Sequence, residues 1–400
     1  MKHTAPALEA ALAALEAQRL RRTRLTVAEP AAPGERLLTL ADGRRLVDFS
    51  SNDYLGLARH PALAAAMSAC AAVSGAGSGA SHLVTGHGHE HARLEEELAA
   101  FTGRERALLF STGYMANLAV IAALAGRSER VLLDRLCHAS LIDGARLSGA
   151  TLVRYAHADA GEAARLLAAD PGHTVMVVTD GVFSMDGDLA PLPQLARAAR
   201  AADAWLLVDD AHGVGVVGAS GGGVLEHFGL GCAEVPILIG TLGKAFGSFG
   251  AFVAGAAELI ELLIQKARGY IYTTALPQPV AAATRAALAL ARDEGWRRER
   301  VRSLTARFRR QAAAAGVRLG ESLTPIQPVV LGSAAAALEA QRELAEAGFL
   351  VIAIRPPTVP AGRARLRITL SATHTEAQID ELAACVAAVS ERAQRAEPLV

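Results

Sequence analysis

The sequence predicts an α/β fold in which helices cover both faces of a mostly parallel central sheet, followed by a smaller α+β domain. After about residue 100, short apolar runs alternate with Ala-rich stretches of helical composition. Continuous apolar strands between helices are typical of a parallel sheet that is buried on both faces. Past about residue 285, long Arg- and Ala-rich helices and a few strands follow instead. The predicted strands of the first part are residues 107–110, 131–133, 175–178, 205–208, 236–239 and 250–254.

A chain of 400 residues is too long for a single hydrophobic core, so we expect more than one domain. We assign residues 1–55 to an N-terminal helix and short strands, with the helix over residues 8–24. Residues 56–285 are predicted to form a large α/β domain, and residues 286–400 a small α+β domain. The strands predicted for the small domain are residues 328–331, 350–354 and 365–369.

The composition excludes several classes of partner. Lys+Arg and Asp+Glu both number 40, so the formal net charge is zero, and we expect neither nucleic acid nor a membrane surface as partner. The four cysteines lack the spacing of a disulfide framework or metal site, as is typical of a protein of the reducing cytoplasm. Residues 107–126 carry no charge over about the length of a membrane span, but Ser-Thr-Gly at 111–113 interrupts them. We expect a strand, a turn and a helix there.

The residues after two neighbouring apolar runs indicate a specific chemistry. Lys244 lies in a turn of small residues, Gly-Thr-Leu-Gly-Lys-Ala-Phe-Gly at 240–247, and Asp209 follows the run at 205–208. Taken alone, a surface lysine in a glycine turn and an aspartate that caps a helix are the alternatives. Together, an amine and a carboxylate at two strand ends are typical of pyridoxal 5′-phosphate (PLP) enzymes. In those enzymes the lysine binds the aldehyde and the aspartate pairs with the ring nitrogen.

Polar residues also follow the other predicted strands. Ligands of open α/β sheets bind outside the carboxyl ends of the strands, so these residues are expected to converge. Gly113 lies in a glycine turn that opens a helix, which is a favourable position for a phosphate group. Thr241 supplies a hydroxyl beside Lys244, while His138 and Ser184 follow two further strands. A purely structural role does not predict polar residues at five strand ends.

Two other patterns are interpreted as structural. The GxGxxG pattern at 213–218 follows a strand, but Ala-Ser-Gly-Gly-Gly comes next instead of a helix, so we reject a dinucleotide site. His87, His89 and His91 alternate as metal ligands on a strand would, but they lead directly into a helical segment. We expect turn and helix-start roles for them, and no metal.

Five segments carry a resemblance to a known family. The chain resembles the α-oxoamine synthases, which are fold-type I PLP-dependent transferases, and the resemblance runs nearly from end to end. The lysine segment is specific to the superfamily, and the last segment points to the branch that serves biotin biosynthesis. The segments are residues 50–57, 181–188, 208–213, 240–247 and 355–360.

The resemblance implies roles for individual residues. Lys244, Asp209 and His138 are implied as catalytic, with Lys244 holding the cofactor and His138 stacked on its ring. Family members are homodimers, and Thr273 and Thr274 resemble the pair that reaches the phosphate of the neighbouring subunit. The implied cofactor contacts are Gly113, Tyr114, His138, Ser184, Asp209, His212, Thr241, Lys244, Thr273 and Thr274.

The implied substrates are L-alanine and a pimeloyl thioester, which are joined with loss of CO2 and of the thiol carrier. Asn52 and Arg367 resemble the clamp for the amino acid carboxylate, and Arg21 and Thr358 resemble contacts of the acyl donor. His138 is implied as a further substrate contact. The carrier, coenzyme A or acyl carrier protein, stays open. The alternatives are a related synthase that uses glycine with acetyl or succinyl thioesters, and a catalytically silent partner subunit.

Overall fold

The five apolar runs that the sequence predicts as strands before residue 240 all lie in one seven-stranded sheet of the computed structural model, which describes residues 5–396. Three sheets are described in all. Their strands are β1 (Val27–Glu29), β2 (Leu37–Leu40), β3 (Arg45–Asp48), β4 (Arg106–Phe110), β5 (Arg130–Asp134), β6 (Thr151–Tyr155), β7 (Thr174–Asp180), β8 (Trp205–Asp209), β9 (Ile237–Thr241), β10 (Ala251–Gly255), β11 (Ile326–Gly332), β12 (Phe349–Leu350), β13 (Ile352–Ile354) and β14 (Ala364–Thr369).

The helices alternate with these strands over the first two thirds of the chain. A π-helical turn, His82–Gly86, precedes the third helix. The helices are α1 (Ala5–Ala17), α2 (Pro61–Ser74), α3 (His89–Thr102), α4 (Gly113–Leu124), α5 (Ala139–Ser148), α6 (Ala160–Ala168), α7 (Leu192–Ala201), α8 (Val224–Phe228), α9 (Ala257–Lys266), α10 (Arg268–Ile271), α11 (Gln278–Asp293), α12 (Trp296–Ala314), α13 (Ala334–Glu346) and α14 (Glu376–Ala396).

The large sheet has the strand order β4-β10-β9-β8-β7-β5-β6. The pairs from β9 to β6 are all parallel, and only β10 runs antiparallel to its two neighbours. Because β10 separates β4 from β9, the carboxyl ends of the other six strands lie at the same edge. The prediction of a mostly parallel sheet is therefore confirmed. The sequence does not reveal β6, because this edge strand buries only Tyr155 and carries no continuous apolar run.

Burial of the apolar runs explains why the helices lie against this sheet. Val131, Leu133, Val178, Leu207 and Ile239 belong to one buried cluster that also includes side chains of α4, α5 and α9. The uncharged segment at 107–126 is the strand β4, a turn and the buried helix α4. Among residues 5–396, no helix is both long enough and apolar enough to span a membrane.

Contacts between residues divide the chain into two units. Unit 1 contains residues 5–52, 185–187 and 301–396, and unit 2 contains residues 53–184 and 188–300. The N-terminal segment thus joins the C-terminal residues.

Unit 1 has its own core and two small sheets, β1-β2-β3-β12 and β11-β14-β13. Phe49, Phe308, Leu366 and Val386 are among its buried side chains. Helix α13 begins directly after Ser333, whose Oγ accepts a hydrogen bond from a main-chain N–H of the first turn at 3.1 Å.

The first helix ends earlier than the sequence predicts. We expected a helix over residues 8–24, but α1 ends at Ala17 and Arg19 has a left-handed backbone with φ of 55°. A residue whose backbone has that conformation cannot continue a right-handed helix. Residues 21–24 therefore lie outside the helix, and the prediction was wrong over this stretch.

A histidine between two aspartates links three strand ends of unit 2. The ring of His157, after β6, lies 3.1 Å from Asp134 at the end of β5 and 2.9 Å from Asp188, which follows β7. Burial opposes the charge on His157, but its hydrogen bonds to Asp134 and Asp188 raise the pKa of His157 to about 10. A group whose pKa is raised on folding stabilises the protein below its unfolded pKa, which is about 6.5 for histidine.

We therefore predict that His157→Gln destabilises the protein most at about pH 6, and that this loss shrinks between about pH 6.5 and 10 as wild-type His157 deprotonates. Urea unfolding of both proteins across this range measures the difference. His173→Gln is the control, because His173 also lies 2.8 Å from an aspartate but is exposed. A His157→Gln loss that stays constant from pH 6 to 10 would contradict the charged triad.

Candidate active site

The two central residues of the predicted chemistry lie at the carboxyl ends of β8 and β9, in unit 2. Asp209 is the last residue of β8, and Lys244 follows β9 by three residues. Parallel strands β8 and β9 are direct neighbours, with Asp209 opposite Ile239. The strand ends therefore place the carboxylate and the amine at one edge of the sheet, as the sequence predicts.

Asp209 is buried and receives two hydrogen bonds. Its Oδ2 accepts from the side-chain amide of Asn117 at 2.6 Å, and its Oδ1 accepts from the main-chain N–H of Ala211 at 3.0 Å. A buried carboxylate requires such donors, because an ionised oxygen left without partners is costly. No sequence pattern indicates a site role for Asn117, which lies in an apolar helical stretch.

The next residue, Asp210, is fully buried and serves the fold. It accepts a hydrogen bond from Val224 N at 2.8 Å, and burial raises the pKa of Asp210 well above its usual range. A Cβ on Gly213 or Gly223 would lie 2.0 Å from its carboxylate oxygens. One glycine of the GxGxxG pattern, Gly213, therefore packs against Asp210. No helix begins between this pattern and Val224.

Lys244 is held at the end of a hydrogen-bonded chain. Its Nζ lies 2.9 Å from Nε2 of His212, and Nδ1 of His212 lies 2.7 Å from the hydroxyl of Tyr54. An ammonium has only donors, so His212 Nε2 accepts and its Nδ1–H donates to Tyr54 whenever Lys244 is charged. Tyr54 lies within one of the five segments above, but its spacing gave no reason to single it out.

Two glycines of the lysine segment are required by packing. A Cβ on Gly240 would lie 2.4 Å from the ring of Phe252, and a Cβ on Gly247 would lie 2.2 Å from the backbone of Ala58. Gly247 also has a φ of +61°, which favours glycine. These close contacts fix the loop that carries Lys244.

His138 is joined to Asp209 through two buried side chains. Its Nδ1 lies 2.7 Å from Ser140 Oγ, which lies 2.8 Å from the amide nitrogen of Asn117. Burial lowers the pKa of His138, whereas the nearby Asp209 opposes that shift. Burial therefore favours the neutral form of the His138 ring.

The start of α4 lies after β4 at the same edge of the sheet. Thr112 caps this helix, with its side chain accepting from Met115 N at 3.1 Å, so Gly113 and Tyr114 supply the first-turn N–H groups. A Cβ on Gly113 would meet no atom within 4 Å, so there is space in front of this turn. Thr241 donates to the carbonyl of Gly250 at 3.1 Å.

These residues fit PLP. The buried carboxylate of Asp209 suits a protonated ring nitrogen, and the amine of Lys244 suits an aldehyde. The open space at Gly113, before the N–H groups and positive dipole end of α4, suits a phosphate. Ser184 follows β7 in the same unit.

Apart from His138, which lies in unit 2, the predicted substrate residues lie in unit 1. Arg367 donates from both terminal nitrogens to Oδ1 of Asn52, at 3.2 and 3.1 Å. Thr358 accepts a hydrogen bond at 3.2 Å from Arg22, whereas Arg21 pairs with Glu16 at 3.4 Å. Both arginines line one cavity of about 430 Å³, together with Leu12, Leu15, Leu20 and Pro357.

The two threonines predicted to reach a neighbouring subunit lie near the surface of unit 2. Thr274 forms an isolated β-bridge with Ser81, just before the π-helical turn. Thr274 is exposed and Thr273 is partly exposed. Their predicted role stays a prediction.

Three histidines converge behind that turn. The ring nitrogens of His82, His87 and His91 lie within 4.8 Å of one another, a spacing compatible with a metal ion. Burial lowers the pKa of His82 to about 3. Both nitrogens of His91 hydrogen bond to the main chain, and its Nδ1 accepts from the N–H of Gly88, the N-cap of α3, at 2.9 Å. His91 thus has the predicted helix-start role, and the absence of a metal stays a prediction.

Comparisons with known proteins identify the family of this chain. The profile of the family "Aminotransferase class I and II" matches residues 44–386. The 8-amino-7-oxononanoate synthase of Methylococcus capsulatus is 61% identical over 93% of this chain and 95% of its own. That of Stutzerimonas stutzeri is 60% identical over 94% of both chains.

Solved structures show the same fold. Serine palmitoyltransferase from S. paucimobilis with a bound PLP–myriocin aldimine is 31% identical, with a TM-score of 0.91 over 97% of this chain and 98% of that one. An 8-amino-7-oxononanoate synthase from Francisella tularensis is 32% identical, with a TM-score of 0.77 over 88% of this chain and 98% of that one. The predicted fold class, a fold-type I PLP-dependent transferase, is confirmed. The chain belongs to the class I and II aminotransferase family and, within it, to the 8-amino-7-oxononanoate synthases.

Proposed function

We propose that this chain catalyses the PLP-dependent condensation of L-alanine with a pimeloyl thioester. The products are 8-amino-7-oxononanoate, CO2 and the free thiol carrier, in biotin biosynthesis. The observation that carries the proposal is the pairing of Lys244 with His212 beside the buried Asp209. Relatives of about 60% identity that bear the synthase name support the choice of reaction. Both catalytic groups are present, which argues against a silent partner subunit.

When bound, PLP supplies an electron sink for the negative charge that develops on Cα of the amino acid. Asp209 is placed to hold a protonated ring nitrogen, and His138 to cover the ring face. Ser184 and His212 are assigned to the phenolic side of the ring. The assigned phosphate contacts are Gly113, Tyr114 and Thr241, with Thr273 and Thr274 from a second copy of the chain.

Lys244 is assigned two tasks, the covalent attachment of the cofactor and the transfer of the Cα proton. A base must stand within hydrogen-bond reach of the proton it takes, so the position of its nitrogen matters more than its strength. His212 and Tyr54 hold that nitrogen through hydrogen bonds of 2.9 and 2.7 Å. Both are buried, so this support is rigid.

Arg367 is assigned to the carboxylate of alanine. Its guanidinium is buried and donates to the neutral amide oxygen of Asn52, which orients the group without cancelling its charge. A buried guanidinium binds a carboxylate bidentately and therefore fixes its orientation as well as its position. Asn52 is thus the partner that aims Arg367.

The cavity beside Arg21 and Arg22 is assigned to the acyl donor. Its lining combines leucines with two cations, which suits an alkyl chain that ends in a carboxylate. Coenzyme A and acyl carrier protein both remain as carriers. We place the reaction in the cytoplasm, where free thiols such as those of Cys70 and Cys137 stay reduced.

We predict that the chain forms a homodimer with an observed mass near twice 41.5 kDa in light scattering. Leu83, Val84 and Tyr272 are large, exposed apolar side chains, and they flank the bridge between Ser81 and Thr274. Exposed apolar groups that cluster in this way are typical of an interface. A fully active monomer would contradict the dimer.

The reaction itself is tested with a panel of amino acids and acyl thioesters and the masses of the products. We expect 8-amino-7-oxononanoate from L-alanine and pimeloyl thioester only, and borohydride reduction to fix the cofactor mass on the peptide with Lys244. Product from glycine with acetyl or succinyl thioester would instead support the alternative synthases. A label on another lysine would contradict the assignment of Lys244.

Acyl selectivity distinguishes the two arginines. We expect Arg21→Ala to lower the use of pimeloyl thioester by about 10- to 100-fold, the loss of a charged hydrogen bond of about 1.5–3 kcal/mol. Heptanoyl thioester lacks the distal carboxylate and is little affected. Arg22→Ala removes the hydrogen bond to Thr358 and is expected to lower the use of both thioesters alike. Arg24→Ala, in the same exposed segment, is the control.

In Arg21→Ala, equal losses for the two donors would move Arg21 to the carrier end of the site. No loss for either donor would return it to the solvated surface.

A further inference from the structure

Two buried polar side chains join residues of the site that lie after different strands. Asn117 in α4 and Ser140 in α5 are 1% and 0% exposed. The Asn117 amide nitrogen lies 2.6 Å from Asp209 Oδ2 and 2.8 Å from Ser140 Oγ, which in turn lies 2.7 Å from His138 Nδ1. A continuous chain of hydrogen bonds therefore runs from Asp209 to His138.

The chemistry of the donors fixes the direction of this chain. An ionised carboxylate only accepts, so the Asn117 amide must turn its NH2 group towards Asp209. Its second N–H then donates to Ser140 Oγ, and the hydroxyl hydrogen of Ser140 is left to donate to His138 Nδ1. The main-chain N–H of Ser140 points at the same nitrogen, at 3.3 Å. His138 Nδ1 is thus an acceptor, and its ring proton lies on Nε2.

The fold accepts a cost to keep this arrangement. Asn117 Oδ1 is buried and has no hydrogen-bond partner within residues 5–396, which is unfavourable for a polar atom. The neighbouring residues of α4, Ala116, Val120 and Ile121, are buried and apolar, so an aliphatic residue would suit the helix better. The reversed amide would place Oδ1 against the carboxylate. An asparagine at this position therefore serves to supply the two hydrogen bonds of its amide nitrogen.

We propose that Asn117 and Ser140 are positioning residues, in which Asn117 orients the Asp209 carboxylate and Ser140 fixes His138 as the neutral tautomer with its proton on Nε2. The inference rests on the proposed roles of Asp209 and His138 at the cofactor. A neutral imidazole can cover a protonated pyridine ring, whereas an imidazolium would repel it. The hydrogen-bonded chain from Asp209 through Asn117 and Ser140 to His138, here called the relay, thus couples two properties. They are the charge of the imidazole that covers the cofactor ring and the orientation of the carboxylate that pairs with the ring nitrogen.

The groups that face His138 come from several elements. Asp209 on β8 and Asp143 on α5 favour its protonation, while Lys244 after β9 opposes it. Tyr114 on α4 meets the ring edge-on at 6.5 Å between centroids. Burial, the largest influence, lowers the pKa of His138. Removing the Ser140 donor is therefore expected to shift both the tautomer and the titration of this ring.

Nitrogen-15 NMR of the histidine rings in the holoenzyme tests the relay, with His138→Gln identifying the His138 signals. In Ser140→Ala, only the longer main-chain contact at 3.3 Å still opposes a proton on Nδ1, so we expect the Nδ1–H tautomer to become more populated and the pKa of His138 to rise. In Asn117→Ala, we expect the dissociation constant for PLP to rise about 10-fold. Thr305→Ala is the control, because it removes a buried hydroxyl that bonds to its own helix.

Substrate discrimination is expected to stay unchanged in both variants, because neither residue is assigned to alanine or the acyl donor. An unchanged His138 tautomer and titration in Ser140→Ala would overturn the proposal, and this variant loses a single oxygen and is expected to fold. Unchanged PLP affinity in a folded Asn117→Ala would overturn it as well. A wild-type protein that shows the predicted tautomer but makes no oxononanoate would refute the proposed function and leave the relay standing.

Discussion

Burial of the Asp209 carboxylate is the constraint on which the site depends. A charged group taken out of water must receive hydrogen bonds and an opposite charge, or it would take up a proton. The fold supplies two hydrogen-bond donors, the side-chain amide of Asn117 from a neighbouring helix and the main-chain N–H of Ala211 from the following turn. Each of these donors is itself held by packing or by a further hydrogen bond, so one carboxylate organises several elements.

The parallel sheet brings the residues of the site together through short connections. Because β4, β5, β7, β8 and β9 run in one direction, the residues that follow them meet at one edge without long loops. Strand β10 is inserted in the opposite direction between β4 and β9, and its Phe252 requires a glycine at 240 opposite its ring. The same edge of the sheet contains His157 with Asp134 and Asp188, whose charges stabilise the loops there. The other polar groups at this edge are available for the proposed chemistry.

Local patterns predicted most of the strands and both central residues, because continuous apolar runs and strand-end polar residues leave strong signals. The sequence did not predict β6, which is half exposed, or the early end of α1, which depends on the backbone of Arg19. Asn117, Ser140 and Tyr54 gave no signal, because their roles follow from tertiary distances. The hydrogen bond between Arg22 and Thr358 also gave no signal, because it joins residues that are far apart in the chain.

Asp209 and Asp210 show why residue type alone cannot assign a role. Successive side chains of a strand point to opposite faces, so two identical residues at the end of β8 enter different surroundings. One meets Asn117 and the active-site edge; the other lies among glycines that leave room only for its carboxylate. Burial raises the pKa of Asp210 well above its usual range. The alternation of side chains along a strand therefore separates the carboxylate that is proposed to pair with the cofactor from the one that packs against the glycines of the GxGxxG pattern.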